Sequence, residues 1–163
     1  MIFVTVGTHE QPFNRLMKAI DEFAVTEPKK EEIIVQYGFS TEVPKHVTDA
    51  QPFFSNVEMN RLISKARILI THGGPSTIIE GLQLKKPTIV VPRQKKFDEH
   101  VNDHQLLFSR EMKKMNYPMI VIEDVAGLSA AVGEAPTLLK KKPFISHTEV
   151  FNRELKQMLD QMF

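Results

Sequence analysis

Five short apolar runs, each leading into a polar or glycine-containing loop, constrain this chain most. They are Ile2–Val6, Ile33–Tyr37, Ile68–Ile70, Thr88–Val91 and Met119–Ile122. A strand that is apolar along its whole length, not at alternate positions, has to be covered on both faces. Between the runs lie segments of helical period. Pro12 suits the first helical position of a segment carrying Phe13, Leu16, Met17, Ile20 and Phe23 on one face. Further helices are expected over about 56–66, with Val57, Leu62 and Ile63 inward, over about 75–84 and 100–114, and as two C-terminal helices. Residues 38–55 form a long polar connection in which Pro52-Phe53-Phe54 suits a short strand. The pattern predicts a doubly wound α/β domain with a parallel sheet, Rossmann-like in build. At 163 residues it is expected to be a single domain over 1–163.

Ligands of such sheets bind beyond the carboxyl ends of the strands. Three loops leave those ends, 7–11, 71–77 and 92–105, and are expected to converge on one crevice. Neither G-x-G-x-x-G nor G-x-x-x-x-G-K-[ST] occurs, so the nicotinamide or flavin fingerprint is missing and a P-loop is argued against. Thr71-His72-Gly73-Gly74-Pro75-Ser76-Thr77 still suits an anion. Gly73 and Gly74 allow close backbone approach, and Pro75 removes no needed donor at a helix start. The exposed N–H groups of that start favour phosphate, with Ser76, Thr77 and His72 as added donors. Glu80, one turn on, could accept from both hydroxyls of a ribose. The same letters fit a capping box, with Thr77 as N-cap and Glu80 closing back on it, and His72 could be a satisfied strand-end histidine.

The remaining composition narrows the classes. Formal net charge is +1, and the four lysine pairs and runs are short, so no nucleic-acid surface is indicated. Cysteine is absent, which excludes a disulfide scaffold, a thiolate metal site and a cysteine nucleophile. No H-E-x-x-H or D-x-D spacing offers a metal site, and no apolar run approaches the roughly 20 residues that span a bilayer.

The stretch T-H-G-G-P-S-T-I-I-E-G-L-Q-L-K-K-P-T-I-V-V-P resembles the donor-binding segment of glycosyltransferases with two Rossmann-like halves, the GT-B fold, and above all the C-terminal domain of family 28. The opening V-T-V-G-T-H-E-Q-P-F-N-R-L and the later V-P-R-Q-K-K-F-D-E-H-V-N-D-H-Q are similar to the small catalytic subunits of exopolysaccharide and capsule glycosyltransferases. They are also similar to the catalytic subunit of the two-part enzyme that adds the second N-acetylglucosamine in the dolichol pathway. The resemblance is weakest over about 125–145.

The resemblance implies that Glu80 holds the ribose of a UDP-sugar. It places Gly7, Thr8, His72, Gly73, Gly74, Ser76 and Thr77 at the diphosphate. Asp98, Glu99 and Asn102 fall where relatives contact the donor sugar, with His104 and Gln105 closing the same loop. Relatives often carry amide pairs where this chain has Asp98-Glu99, so the sugar is not read across. The implied reaction moves a hexose from a UDP-sugar to a polyprenyl-diphosphate-linked saccharide, with no metal and no resident cofactor. His9 is the candidate base on the first loop; the alternatives are a base on a partner, or a His9 bonded within its loop.

Because the resemblance covers the donor half alone, it implies a separate, membrane-anchored, acceptor-binding subunit. The chain itself is then expected in the cytoplasm, at the inner face of the membrane. A C-terminal helix over about 149–163, carrying Val150, Phe151, Leu155, Met158, Leu159, Met162 and Phe163, is the expected docking element, unless its stripe packs on its own domain. Two other functions stay open: a non-catalytic UDP-sugar-binding module that activates a partner transferase, and an independent epimerase or hydrolase.

Overall fold

The structure is a computed structural model that describes residues 1–27, 29–141 and 148–162. Six strands form one parallel sheet: β1 (Ile2–Thr5), β2 (Ile33–Gln36), β3 (Asp49–Gln51), β4 (Ile68–Thr71), β5 (Thr88–Val90) and β6 (Met119–Val121). Their order is β3-β2-β1-β4-β5-β6. The chain therefore winds outward from β1 in one direction, then returns and winds outward in the other. That reversal puts a switch point between β1 and β4, where doubly wound sheets bind their ligands. The pair is in register from Ile2↔Ile68 to Thr5↔Thr71, so the loops after Thr5 and Thr71 leave the sheet side by side.

Strand residues alternate between the two faces. Ile2, Val4, Ile33, Val35, Ile68, Ile70 and Ile89 pack under α1 (Asn14–Thr26) and α5 (Leu128–Lys141). On the opposite face, Phe3 and Leu69 meet Leu62, Ile63 and Ala66 at α2 (Asn56–Lys65). Val90 and Met119 meet Ile78 and Leu82 of α3 (Pro75–Gln83) and Phe108 and Met112 of α4 (His104–Lys114). Met158 of α6 (Thr148–Met162) joins this last cluster, with Leu155 and Leu159 packed against it.

Several local expectations are corrected. The helix α1 starts at Asn14, two residues after Pro12, because Phe13 is drawn into the core and its N–H is donated to Ser40 Oγ at 3.0 Å. The extra strand lies at Asp49–Gln51, paired Ile34↔Asp49, and not at 52–54. Phe54 instead packs edge-on against Phe3, 6.1 Å between centroids. Val57 is 81% exposed, not inward. Five residues separate it from Leu62, which turns it about 140° around the helix. Helix α4 begins at His104, four residues later than expected, with Asn102 Oδ1 accepting the His104 N–H.

The C-terminal stripe is spent largely on its own domain. Met158 is buried, Leu155 and Leu159 pack beside it, and Tyr117 donates its hydroxyl to Glu154 at 3.3 Å. Val150 remains exposed. Phe163 and the side chains of Phe151 and Met162 lie outside the described residues. Among the described residues, no helix is long and apolar enough to cross a membrane.

Candidate functional site

At the switch point, Gly7 turns the chain out of β1 with φ of +72°, a left-handed conformation that glycine adopts without strain. Next to it, β4 ends and α3 begins within three residues. Pro75 stands in the first turn and Gly74 is the N-cap, so no side chain caps the first turn. Thr77 is therefore inside the helix and is not its N-cap. The capping-box alternative is overturned, and the Glu80 carboxylate makes no hydrogen bond or ion pair among the described residues. Half-buried and unpartnered, its carboxyl is pushed above the usual range by burial.

The glycines answer to a different neighbour than expected. A Cβ on Gly74 would lie 2.3 Å from His72 Nε2, and one on Gly7 would lie 2.6 Å from it. A Cβ on Gly73 would meet Gln105 Cβ at 2.7 Å. All three glycines thus make room for side chains of the chain itself: two for the His72 ring and one for Gln105. His72 is buried, with Nδ1 3.3 Å from Thr71 Oγ1. Its pKa falls to about 3 through burial, with the Arg93 charge acting in the same direction. The imidazole is neutral at ordinary pH, a donor or acceptor and not a fixed cation.

Two adjoining crevices open here and share Thr8 and His72. The first, about 500 Å³, is lined by Gly7, Ser76, Thr77 and Glu80 on one side and by Phe53, Phe54, Asn56, Met59 and Asn60 on the other. Buried Gln36 braces its floor, donating to Thr5 Oγ1 at 3.2 Å and accepting from the Phe54 N–H. The second, about 550 Å³, adds His9, Glu10, Phe39, His100 and Gln105. An aromatic and amide wall facing a lone carboxylate and an uncapped helix start suits a nucleoside phosphate: ring, ribose and anion in that order.

The 92–105 loop is arranged differently from expectation. Of its candidates only Gln105 lines a crevice; Asp98, Glu99, Asn102 and His104 line neither. Glu99 is 2% exposed and its carboxylate is committed to Arg15 and to the Gln94 N–H. Asp98 sits at φ of 56° and offers its carbonyl to Gln11. Asn102 and His104 bond to each other across the start of α4. The loop does converge on the other two: it meets 71–77 through Gln105, which lies against Gly73, and it meets the first loop through Arg93, which no motif singled out. Its guanidinium is wholly buried and donates to Gln11 O at 2.7 Å, Glu99 O at 3.0 Å and Val6 O at 3.0 Å. It also lies over the Phe13 ring. Burial lowers its pKa to about 10, with Glu99 opposing the fall, so it stays charged. One signal was visible: an arginine two residues after the apolar run Thr88–Val91.

His9 and His100, also unassigned as a pair, stack with ring centroids 4.2 Å apart and planes 15° apart. His9 Nε2 lies 2.8 Å from Gln11 Oε1, so the histidine does bond within its loop. Among the described residues, no group of three or more acidic, histidine or cysteine side chains is placed to hold a metal ion.

Comparison with known proteins bears on this geometry. The family model described as the glycosyltransferase family 28 C-terminal domain matches residues 1–155. The chain is 34% identical over 103 residues to the UDP-N-acetylglucosamine transferase subunit ALG13 of Debaryomyces hansenii, covering 60% of this chain and 46% of that one. It is 34% identical over 65 residues to the subunit of the same name in Candida albicans, covering 40% and 21%. The chain thus spans less than half the length of these relatives. Among solved structures it is similar to the glycotransferase of kitacinnamycin, with a TM-score of 0.61 at 20% identity, over 83% of this chain and 34% of that one. That likeness shows the fold: a Rossmann-like half of a GT-B glycosyltransferase.

Proposed function

The chain belongs to glycosyltransferase family 28 through its C-terminal domain, and from that premise we propose that it is the donor-binding, catalytic subunit of a two-component glycosyltransferase. It takes a UDP-sugar and transfers the hexose to a polyprenyl-diphosphate-linked saccharide, in exopolysaccharide or capsule synthesis. The observation that carries this reading is Glu80: a half-buried carboxylate with no partner of its own, one turn beyond an uncapped helix start, facing the first crevice.

The uracil enters between Phe53, Phe54 and the α2 amides, the ribose hydroxyls donate to Glu80, and the diphosphate meets the first-turn N–H groups, Ser76, Thr77, Thr8 and His72. As the sugar–phosphate bond breaks, charge grows on the diphosphate, where these donors are already aimed. The sugar then lies in the second crevice, beside His9, which this chain offers as the base for the acceptor hydroxyl. Two yeast relatives are named as subunits, and this supports a separate acceptor-binding partner that is anchored in the membrane and holds this chain at its cytoplasmic face.

Calorimetric titration of the chain with UDP and with 2′-deoxy-UDP tests the ribose contact. A hydrogen bond to a carboxylate contributes about 1.5–3 kcal/mol, so Glu80→Ala should weaken UDP roughly tenfold or more. The 2′-deoxy analogue should lose affinity against the wild type and not against Glu80→Ala. Equal UDP affinity in both proteins would overturn the assignment. A panel of UDP-hexoses, read by thermal stabilisation, then identifies the donor.

A further inference from the structure

Gln11 stands between two loops with both ends of its amide engaged. Its Nε2 donates to the Asp98 carbonyl at 3.2 Å, and its Oε1 lies 2.8 Å from His9 Nε2. The reverse orientation would set Oε1 against the Asp98 carbonyl oxygen, two acceptors facing each other. An amide oxygen only accepts, so the hydrogen between Gln11 and His9 belongs to His9 Nε2. The backbone of Gln11 is pinned as well, since its carbonyl accepts from the buried Arg93 guanidinium at 2.7 Å.

A neutral imidazole with hydrogen on Nε2 carries its lone pair on Nδ1. Among the described residues, His9 Nδ1 has no hydrogen-bond partner. The ring plane is held independently by the stack on His100, whose own Nδ1 accepts the Asn102 N–H at 3.3 Å. Burial lowers the pKa of His100, and the charges of His9, Arg93 and His104 lower it further. His100 therefore stays an uncharged platform when His9 takes a proton.

We propose that Gln11 is a positioning residue that locks His9 in the Nε2–H tautomer and so presents Nδ1 as the proton acceptor. This rests on the reading of His9 as the base. In the step, the acceptor O–H bond breaks and its proton passes to Nδ1. The oxygen forms the new bond to the anomeric carbon, and the old carbon–oxygen bond breaks with its electron pair leaving on the diphosphate. The imidazolium keeps its Nε2–H bond to Gln11, whose oxygen then faces a full positive charge.

Two-bond proton–nitrogen correlation spectra of the full chain report the tautomer directly, and transfer assays with the acceptor-binding subunit report turnover. The wild type should show His9 protonated on Nε2. Gln11→Leu should populate the Nδ1–H form and lower kcat about tenfold or more, with the donor KM within about twofold. Gln11→Glu keeps an acceptor for Nε2 but loses the donor to the Asp98 carbonyl, so it should keep the Nε2–H tautomer, with turnover between those of Gln11→Leu and the wild type. A wild-type His9 protonated on Nδ1 would overturn the lock without recourse to any variant. Wild-type turnover in Gln11→Leu, beside lost turnover in His9→Phe, would overturn the positioning role alone. Wild-type turnover in His9→Phe would overturn the base reading and this inference with it.

Discussion

Arg15 and Glu99, 84 residues apart in the chain, meet through two parallel bonds, Nε to Oε1 at 2.8 Å and Nη2 to Oε2 at 2.9 Å. Arg15 also donates to the carbonyls of Pro92 and Glu123, so one side chain of α1 ties the third loop to the segment that follows β6. Glu99 is nearly wholly enclosed. Removing one partner of such a pair strands the other charge, which costs about 3 kcal/mol or more. Glu99→Met should lower Tm by roughly 6–12 °C. The double variant Arg15→Met/Glu99→Met should lose clearly less than the two single losses summed. Differential scanning calorimetry of the four proteins checks this; additive losses would mean the pair is not coupled.

The 2.3 Å approach of a Gly74 Cβ to His72 makes a second expectation. Gly74→Ala has to displace a buried ring held on its other side by Gly7, and overpacking of this kind costs about 1–3 kcal/mol. Unfolding in urea should show that loss, together with weaker UDP binding. In a His72→Ala background the same substitution should cost little, because the ring it strikes is gone. A full-sized loss in both backgrounds would place the strain in the Gly74 backbone instead.

The buried state of His72 predicts a pH dependence. Its folded pKa, about 3, lies below the ordinary histidine value of 6.5. As pH falls below 6.5, the unfolded chain binds a proton that the folded chain refuses, so stability declines from there towards pH 3. His100 is shifted in the same direction and adds to the decline. His72→Gln should flatten the slope between pH 6.5 and 4 by up to about 1.4 kcal/mol per pH unit. Urea midpoints measured across that range would decide it, and an unchanged slope would mean that the ring is reached by water.

Glu80 separates an enzyme from a binding module. With the acceptor-binding subunit supplied, Glu80→Ala should cut turnover tenfold or more at subsaturating donor while leaving co-purification of the two subunits intact. Retained turnover would favour a module that only activates its partner.

The α/β class, five of the six strand positions and the end of the sheet where the loops converge could be read from the sequence. Apolar runs without alternation require two covered faces, and a glycine turn beside a helix start has few other uses. The order of the contacts could not be read that way. The glycines of His72-Gly73-Gly74 looked like space for a ligand, and in three dimensions that space holds His72 and Gln105. Glu99 looked like a sugar contact and is consumed by Arg15, a partner that no local pattern could indicate. Arg93, buried and joining the first and third loops, is of a residue type that is usually solvated. The C-terminal stripe, periodic enough to suggest docking, turns inward at Met158.

What the sequence determined alone is what depends on near neighbours: the alternation of strands and helices, and a helix start after the glycine pair with Glu80 about one turn into it. The tertiary structure decided which side chain each of these meets. Contacts such as Arg15 with Glu99, Arg93 with Val6, and Gly7 with His72 join residues tens of positions apart. They exist only because the parallel order β1-β4-β5 brings the chain beyond those strands together.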